Sequence, residues 1–336
     1  MNRRRRRLFA VLAGLAALLA AHAALWFATA SRLRSGFEDW AAAERAQGWS
    51  VSAGTPRRAG WPLAVAIDIP APRIAGSFGI PGGLAWSAGT LTLAIVLRHP
   101  TELTLIAAGP QTLQIGPMPA VPYTADRLEA AVALTLQGPP SQADITIAAL
   151  QAQLPDGELA VAETRLHLDS PPGDDRGLTL AATAVDLPPL GQIFGRRLDR
   201  LDLDIRLAGT APPLPDPAAW RDSGGSLIVR RLALRWGRLQ LDASATIALD
   251  ASLQPAGTAN ARLVDPVATV DALAAAHAIP PGTARAARAV LSLLARVPAG
   301  GGPPEVEAPL TLQNRNLAFA GFPLLVLPEI VWPKPR

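Results

Sequence analysis

The sequence predicts a mainly β protein: an extended, curved antiparallel sheet or open sandwich, with an N-terminal transmembrane helix and a C-terminal helical hairpin. Three observations predict it. From Trp49 onward apolar side chains recur at every second position, the pattern of half-buried antiparallel strands. Proline and glycine punctuate these runs, and no regular alternation of strands with helices calls for a parallel sheet. At the N-terminal end, Arg3, Arg4, Arg5, Arg6 and Arg7 stand directly before an uncharged apolar stretch that opens at Leu8 and runs to residue 30.

That stretch holds 23 residues, which as a helix extend about 34 Å, enough to cross a hydrocarbon core of roughly 30 Å with some tilt. Arginines stay on the cytoplasmic side, so the body is expected across the membrane. Trp26, near the far end, suits an interface, and His22 is tolerable there as a neutral imidazole. The rival reading is a cleaved secretory signal, with Ala21-His22-Ala23 or Ala28-Thr29-Ala30 as its cleavage site. Both readings export the body. An apolar run continuing through Leu25, Trp26 and Phe27 outlasts a signal's usual ~7 to 15 residues, which favours a retained anchor.

The net charge of +4 invites a nucleic-acid reading until the charges are placed. Removing the five N-terminal arginines from the 31 lysines and arginines leaves 26 against 27 acidic residues, so the excess lies at the membrane end. The pairs Arg57-Arg58, Arg196-Arg197 and Arg230-Arg231 are too short for a phosphate-binding surface and read as solvated strand ends. Nucleic acid is therefore not an expected partner. The chain has no cysteine, so no disulfide framework supports an exported body; a core must hold it, and 49% hydrophobic residues supply one.

Residues 31–48 read as an amphipathic stalk helix, with Leu33, Phe37 and Trp40 at three-to-four spacing and Arg34, Glu38, Asp39, Glu44 and Arg45 on other faces. Gly48 suits a helix stop. The expected organisation is thus a cytoplasmic arginine cluster and anchor over 1–30, a stalk over 31–48, and a β-rich body over 49–336.

In the body the clearest strand sets Leu201, Leu203, Ile205 and Leu207 against Asp202, Asp204 and Arg206. The same alternation runs through residues 239–249 and 91–97. Shorter versions occur at Leu103-Leu105, Val132-Leu134-Leu136, Ile145-Ile147, Leu159-Val161, Leu166-Leu168, Leu178-Leu180, Leu227-Val229 and Leu310-Leu312, about a dozen strands in all. Turns are expected at Gly138-Pro139-Pro140, Pro155-Asp156-Gly157, Pro171-Pro172-Gly173 and Gly224-Gly225. Asp265-Pro266 opens a helix with Asp as N-cap, bearing Val267, Val270, Leu273 and Ala274 on one face; Pro280-Pro281-Gly282 ends it. Thr283 then caps a second helix striped by Val290, Leu291, Leu294 and Val297, giving a helical hairpin over 265–297. A short turn is expected at 216–221.

One heptapeptide echoes: Ala-Gly-aromatic-Pro-Leu-x-Val occurs at 59–65, with Gly60, Trp61 and Pro62, and again at 320–326, with Gly321, Phe322 and Pro323. Proline cannot donate to a ladder, so each copy should open a strand or lie on a sheet edge. The two are either strand entries built alike or a paired rim around an opening.

No chemistry is legible. His99, His167 and His277 are far apart in sequence, and no metalloprotease, nucleophile-elbow, phosphate-loop or dinucleotide motif occurs. Asp174-Asp175 falls in a turn, and Asp202 and Asp204 on a solvated strand face. No catalytic, cofactor-binding or metal residues are expected, no cofactor, and no enzyme.

The N-terminal arginine-rich anchor, Gly60-Trp61-Pro62-Leu63, Trp86 before a strand, and the order of segments over 239–332 together resemble the exported bacterial family known as domain of unknown function 2125. In that closing part, 242–249, 265–273, the helix through Leu294, the strand 310–312 and 317–328 follow one another as in the family. The strand-helix-helix-strand ending is also similar, more weakly, to AsmA-like envelope proteins, a resemblance that implies membrane-anchored elongated sheets linked to lipid movement; this chain is shorter than the large lipid bridges. The expectation is a non-enzymatic, single-pass protein of the bacterial inner membrane, N-terminus cytoplasmic and body periplasmic. Its aliphatic sheet face would bind or pass lipid or another hydrophobic ligand. The alternative is an envelope scaffold that engages a protein partner. The sequence leaves open whether that face is exposed or sealed.

Overall fold

A computed structural model describes residues 3–77, 82–96, 98–134, 141–170, 175–189, 192–209, 216–319 and 322–332. A single helix, α1 (Arg3–Ala46), comes first, and the described residues after it form twenty strands in one sheet. The expected anchor and stalk are one uninterrupted helix. Nothing between Ala30 and Ser31 breaks it, and Gly36 is tolerated mid-helix. The helix ends where Gly48 takes φ +90°.

The first ten strands are five bent courses. They are β1 (Ser50–Ser52) with β2 (Arg57–Ala59), β3 (Ala64–Pro70) with β4 (Arg73–Gly76), β5 (Leu84–Ser87) with β6 (Thr90–Val96), β7 (Glu102–Ala108) with β8 (Gln111–Ile115), and β9 (Val121–Thr124) with β10 (Arg127–Ala133). The ladders show it: β2 pairs β3 while β1 pairs β4; β3 pairs β6 while β4 pairs β5; β6 pairs β7 while β5 pairs β8. Both halves of the fifth course pair the fourth, and both then meet one strand, β11 (Gln142–Leu154).

The meander continues with each strand antiparallel to the last: β12 (Gly157–Asp169), β13 (Arg176–Asp186), β14 (Arg197–Ala208), β15 (Ser226–Trp236), β16 (Leu239–Leu249), β17 (Pro255–Val264), β18 (Glu305–Gln313), β19 (Asn316–Phe319) and β20 (Phe322–Val326). No ladder joins β20 back to β1 or β2 among the described residues, so the sheet is open.

A transverse crease crosses the first part of this sheet. It passes Ala71 (φ 45°), Gly89, Gly109 (φ 78°) and Ala149 (φ 50°), then Ala162, Ala184 (φ 50°) and Asp199, which drop out of the ladder register. At each of these steps across β11–β14 the facing residues of both strands go unpaired while the register on either side is unchanged, so the ladder is interrupted and not shifted. The aliphatic pattern reverses at the same points. In β11, Ile145 and Ile147 give way to Leu150, Ala152 and Leu154; in β13, Leu178 and Leu180 give way to Val185. Interruption and phase change thus fall on one line across β11–β14.

The remaining elements are short. α2 (Pro217–Asp222) is capped by the Asp216 carboxylate on the Ala219 amide and seats the buried Trp220 against Gly209 and Gly225. Between β17 and β18 lie α3 (Pro266–Ala275), capped by Asp265 as expected, and α4 (Pro281–Leu294). The caps differ from expectation at the second. The chain reverses at His277 (φ 56°), and Pro281 sits in the first turn with extended Pro280 as N-cap, so Thr283 lies inside α4.

The accessible surface is 20559 Å², against about 13,000 Å² for a compact monomer of this mass. Much of the chain therefore lacks a second layer. The fully buried large side chains include Ile67, Ile69 and Val65, which gather where α1 meets β3.

Candidate functional site

The ladder registers assemble one aliphatic row across eleven strands. It starts at Ile67 in β3 and passes Leu93, Leu105, Ala130 and Ile145. It continues through Leu166, Leu180, Leu203 and Leu232, then Ala243 and Ala261. At about 4.8 Å per strand the row runs roughly 48 Å. A parallel row holds Leu168, Leu178, Ile205, Val229 and Ala245.

Cover differs along the row. At its start Leu33 and Phe37 of α1 lie on Ile67, Ile69 and Leu93, which are 0%, 0% and 7% exposed. That stripe was legible as an amphipathic helix, and this is the surface it serves. Past Leu105 that cover ends, and the row is buried again only at Ala261, 7% exposed. From Ala130 to Ala243 every member of the row is only half-buried, and the fully buried residues in β11–β16 are small, such as Ala152, Ala182 and Ala233. Leucine and isoleucine side chains in a packed core would be buried on all sides.

The opposite face carries the charges. Arg200 pairs Asp202 at 2.6 Å, Arg235 pairs Asp242 at 2.9 Å, Arg262 pairs Glu305 at 2.6 Å and Arg197 pairs Asp186 at 3.0 Å. The Arg197 hydrogen bond holds the Asp186 carboxyl below the usual carboxylate range. His167 lies on this polar side, and its Nδ1 donates to the Asp144 carboxylate at 2.7 Å, a partner the sequence did not reveal. These pairs are exposed and add little stability, but they keep this face in water.

His99 lies in the β6–β7 turn, His167 in β12 and His277 after α3, on three separate parts of the fold. Among the described residues no three His, Cys, Asp or Glu side chains gather as a metal site would require. A cleft of about 240 Å³ between α1 and residues 53–56 holds Arg34, Glu38 and Arg45. Its cations are already engaged, Arg34 by Glu38 and Arg45 by the Val51 carbonyl, so it offers a ligand little.

The expected anchor and rim residues are placed as follows. Arg3, Arg4, Arg5, Arg6, Arg7 and Leu8 begin α1, and their side chains lie outside the described residues. Trp26 is buried, not free at an interface; its Nε1 donates to the Ala64 carbonyl at 2.7 Å and its ring meets Trp61 edge-on at 5.5 Å. Gly60, Trp61 and Pro62 form the turn from β2 to β3, and a Cβ on Gly60 (φ +86°) would meet the Ala64 carbonyl at 2.8 Å. Phe322 and Pro323 open β20, their side chains outside the described residues, as is Gly321 altogether. The two echoes thus stand near opposite edges of the meander, and no ladder or hydrogen bond among the described residues joins them. His22 and Arg58, which complete the helix–turn contact, carried no sequence signal because their contacts span 40 and 27 residues.

Fold and face define an open antiparallel β-sheet protein led by one helix long and apolar enough to cross a membrane. Residues 26–328 match the family described as an uncharacterized protein conserved in bacteria (DUF2125), and the chain belongs to that family. The match begins at Trp26, the residue that ties α1 to the sheet. No curated protein and no solved structure matches the chain.

Proposed function

We propose that this is a non-enzymatic protein of the bacterial inner membrane whose aliphatic sheet face receives the acyl chains of envelope lipids and lets them pass along it. In this reading α1 is the single membrane span, the arginines are cytoplasmic and the sheet is periplasmic. The observation that carries it is the half-buried row from Ala130 to Ala243, continuous with a part of the same row that α1 covers. Burying a methylene is worth about 0.8 kcal/mol, so a sixteen-carbon tail leaving water gains roughly 12 kcal/mol at most. A single sheet face touches one side of the tail and recovers about half of that. Such a surface suits lipid sliding from a bilayer better than lipid carried free through water.

The test is a photo-crosslinking residue placed at Leu180, on the row, and in a second variant at Thr179, on the charged face. Irradiation of cells followed by mass spectrometry should yield lipid adducts at 180 and none at 179. Lipid at neither position removes the reading.

One observation favours a scaffold instead: Leu293 on α4 is 86% exposed, with Leu294 and Val297 beside it also open to solvent. The same photo-residue at Leu293 should capture a stoichiometric envelope protein if this is the function.

A further inference from the structure

The turn between β2 and β3 is fastened to α1 at a defined height. His22 Nε2 lies 3.0 Å from the Pro62 carbonyl, Trp26 Nε1 donates to Ala64, and the Trp61 ring packs against both His22 and Trp26. From Arg7, His22 is about 22 Å and Trp26 about 28 Å along the helix axis. A hydrocarbon core is about 30 Å thick. The turn is thus held at the bilayer boundary opposite the arginines.

Its composition suits that depth. Leu63 is 77% exposed and Trp61 50%, beside exposed Leu25 and Phe27 on α1. One helical turn higher the chemistry changes to cations. Arg58 stands 5.6 Å over the Phe27 ring and donates to the Ser31 hydroxyl at 3.2 Å, with Arg57 and Arg32 exposed alongside. Aromatic and aliphatic groups below arginines reproduce the order of a membrane interface, tails first and phosphates above.

We infer that the Trp61-Pro62-Leu63 turn is a second membrane contact, inserted among the lipids of the leaflet opposite the N-terminal arginines. The sheet then stands with this corner in the bilayer, and the aliphatic row emerges from under α1 beside it. The inference rests on α1 being the membrane span, and the experiment separates the two.

The natural chain has no cysteine, so single-cysteine variants of the full-length protein label at one place. A polarity-sensitive fluorophore is attached at Leu63→Cys, at Leu18→Cys within α1, and at Asp156→Cys in the β11–β12 turn. Each variant is reconstituted in phosphatidylethanolamine–phosphatidylglycerol vesicles holding lipid quenchers at shallow or deep positions. The label at 18 should be quenched best by deep quenchers and the label at 63 best by shallow ones, with a blue-shifted emission; the label at 156 should report water. A quenched label at 18 with a water-exposed label at 63 overturns the inference and leaves the span intact. A water-exposed label at 18 overturns the span, and the inference with it.

Discussion

Ala149 of β11 and Ala184 of β13 share one left-handed backbone conformation, both at φ 50°, and lie on one transverse line of the sheet with Ala162 of β12 between them. An L-residue in this region is strained by roughly 1–2 kcal/mol. It is retained where the aliphatic phase of the strand changes. Ala184→Gly should be close to neutral, since relief of that strain is offset by about 0.5–1 kcal/mol of added chain freedom. Ala184→Val, β-branched, should lose about 2 kcal/mol or more. Deleting Ala184 should be worst, because it turns Leu178 and Leu180 onto the charged face or Val185 off the aliphatic one. Denaturant midpoints of the three variants check this order; a deletion milder than the valine would contradict it.

Gly177 lies in register between Asp169 on β12 and Arg206 on β14, and those two side chains meet over it at 2.5 Å. A Cβ at 177 would run into the Asp169 carboxylate. Both partners are largely shielded from water, so separating them leaves poorly solvated charges. Gly177→Ala should destabilise by about 1–3 kcal/mol. In an Asp169→Ala background the same change should cost much less, and a double-mutant cycle reads the difference.

Tyr123 is the chain's one tyrosine, so phenolate absorbance reports it alone. Burial raises its pKa above the usual 10.0, while the Trp86 Nε1–H bond at 2.8 Å pulls the other way. The folded group keeps its proton longer than the unfolded one. Its contribution to stability is therefore complete below pH 10 and is lost as pH rises through the folded value. Absorbance should rise above the denatured midpoint in the native protein. Trp86→Phe removes the bond that favours the phenolate and should push the midpoint higher still; a fall would show that burial is not the larger cause.

What the sequence disclosed follows from range. Alternation in 201–207 and 239–249 located β14 and β16, and Asp265-Pro266 located α3, because each signal sits within one element. The crease was present as a change of parity, odd at Leu159 and Val161, even at Leu166 and Leu168, yet read as two short strands the slip has no meaning until β11 and β13 show theirs at the same height. The cover of Ile67 by Phe37 and the tie from Trp26 to Ala64 join segments far apart, and no local pattern encodes them. Thr283 misled because a hydroxyl at a helix start is a good cap, whereas Pro281 at the first turn fixes that start three residues earlier.

Ile67 and Leu203 belong to one row but differ in cover, and this makes the openness of the face measurable. Ile67 is 0% exposed beneath Leu33 and Phe37, so Ile67→Ala should leave a cavity and cost about 2–5 kcal/mol. Leu203 is half-buried by its strand neighbours alone; its truncation removes partial contacts, opens no closed cavity, and should cost about 1 kcal/mol. Lipid should change the comparison in one direction. A ligand that binds the native face and not the unfolded chain stabilises in proportion to its occupancy, so added lipid should raise the unfolding midpoint of the natural protein and of Ile67→Ala alike. It should raise that of Leu203→Asp far less, because a carboxylate on the row excludes the tail. If Leu203→Ala is as costly as Ile67→Ala without lipid, the face is sealed by a second layer and the sliding surface does not exist.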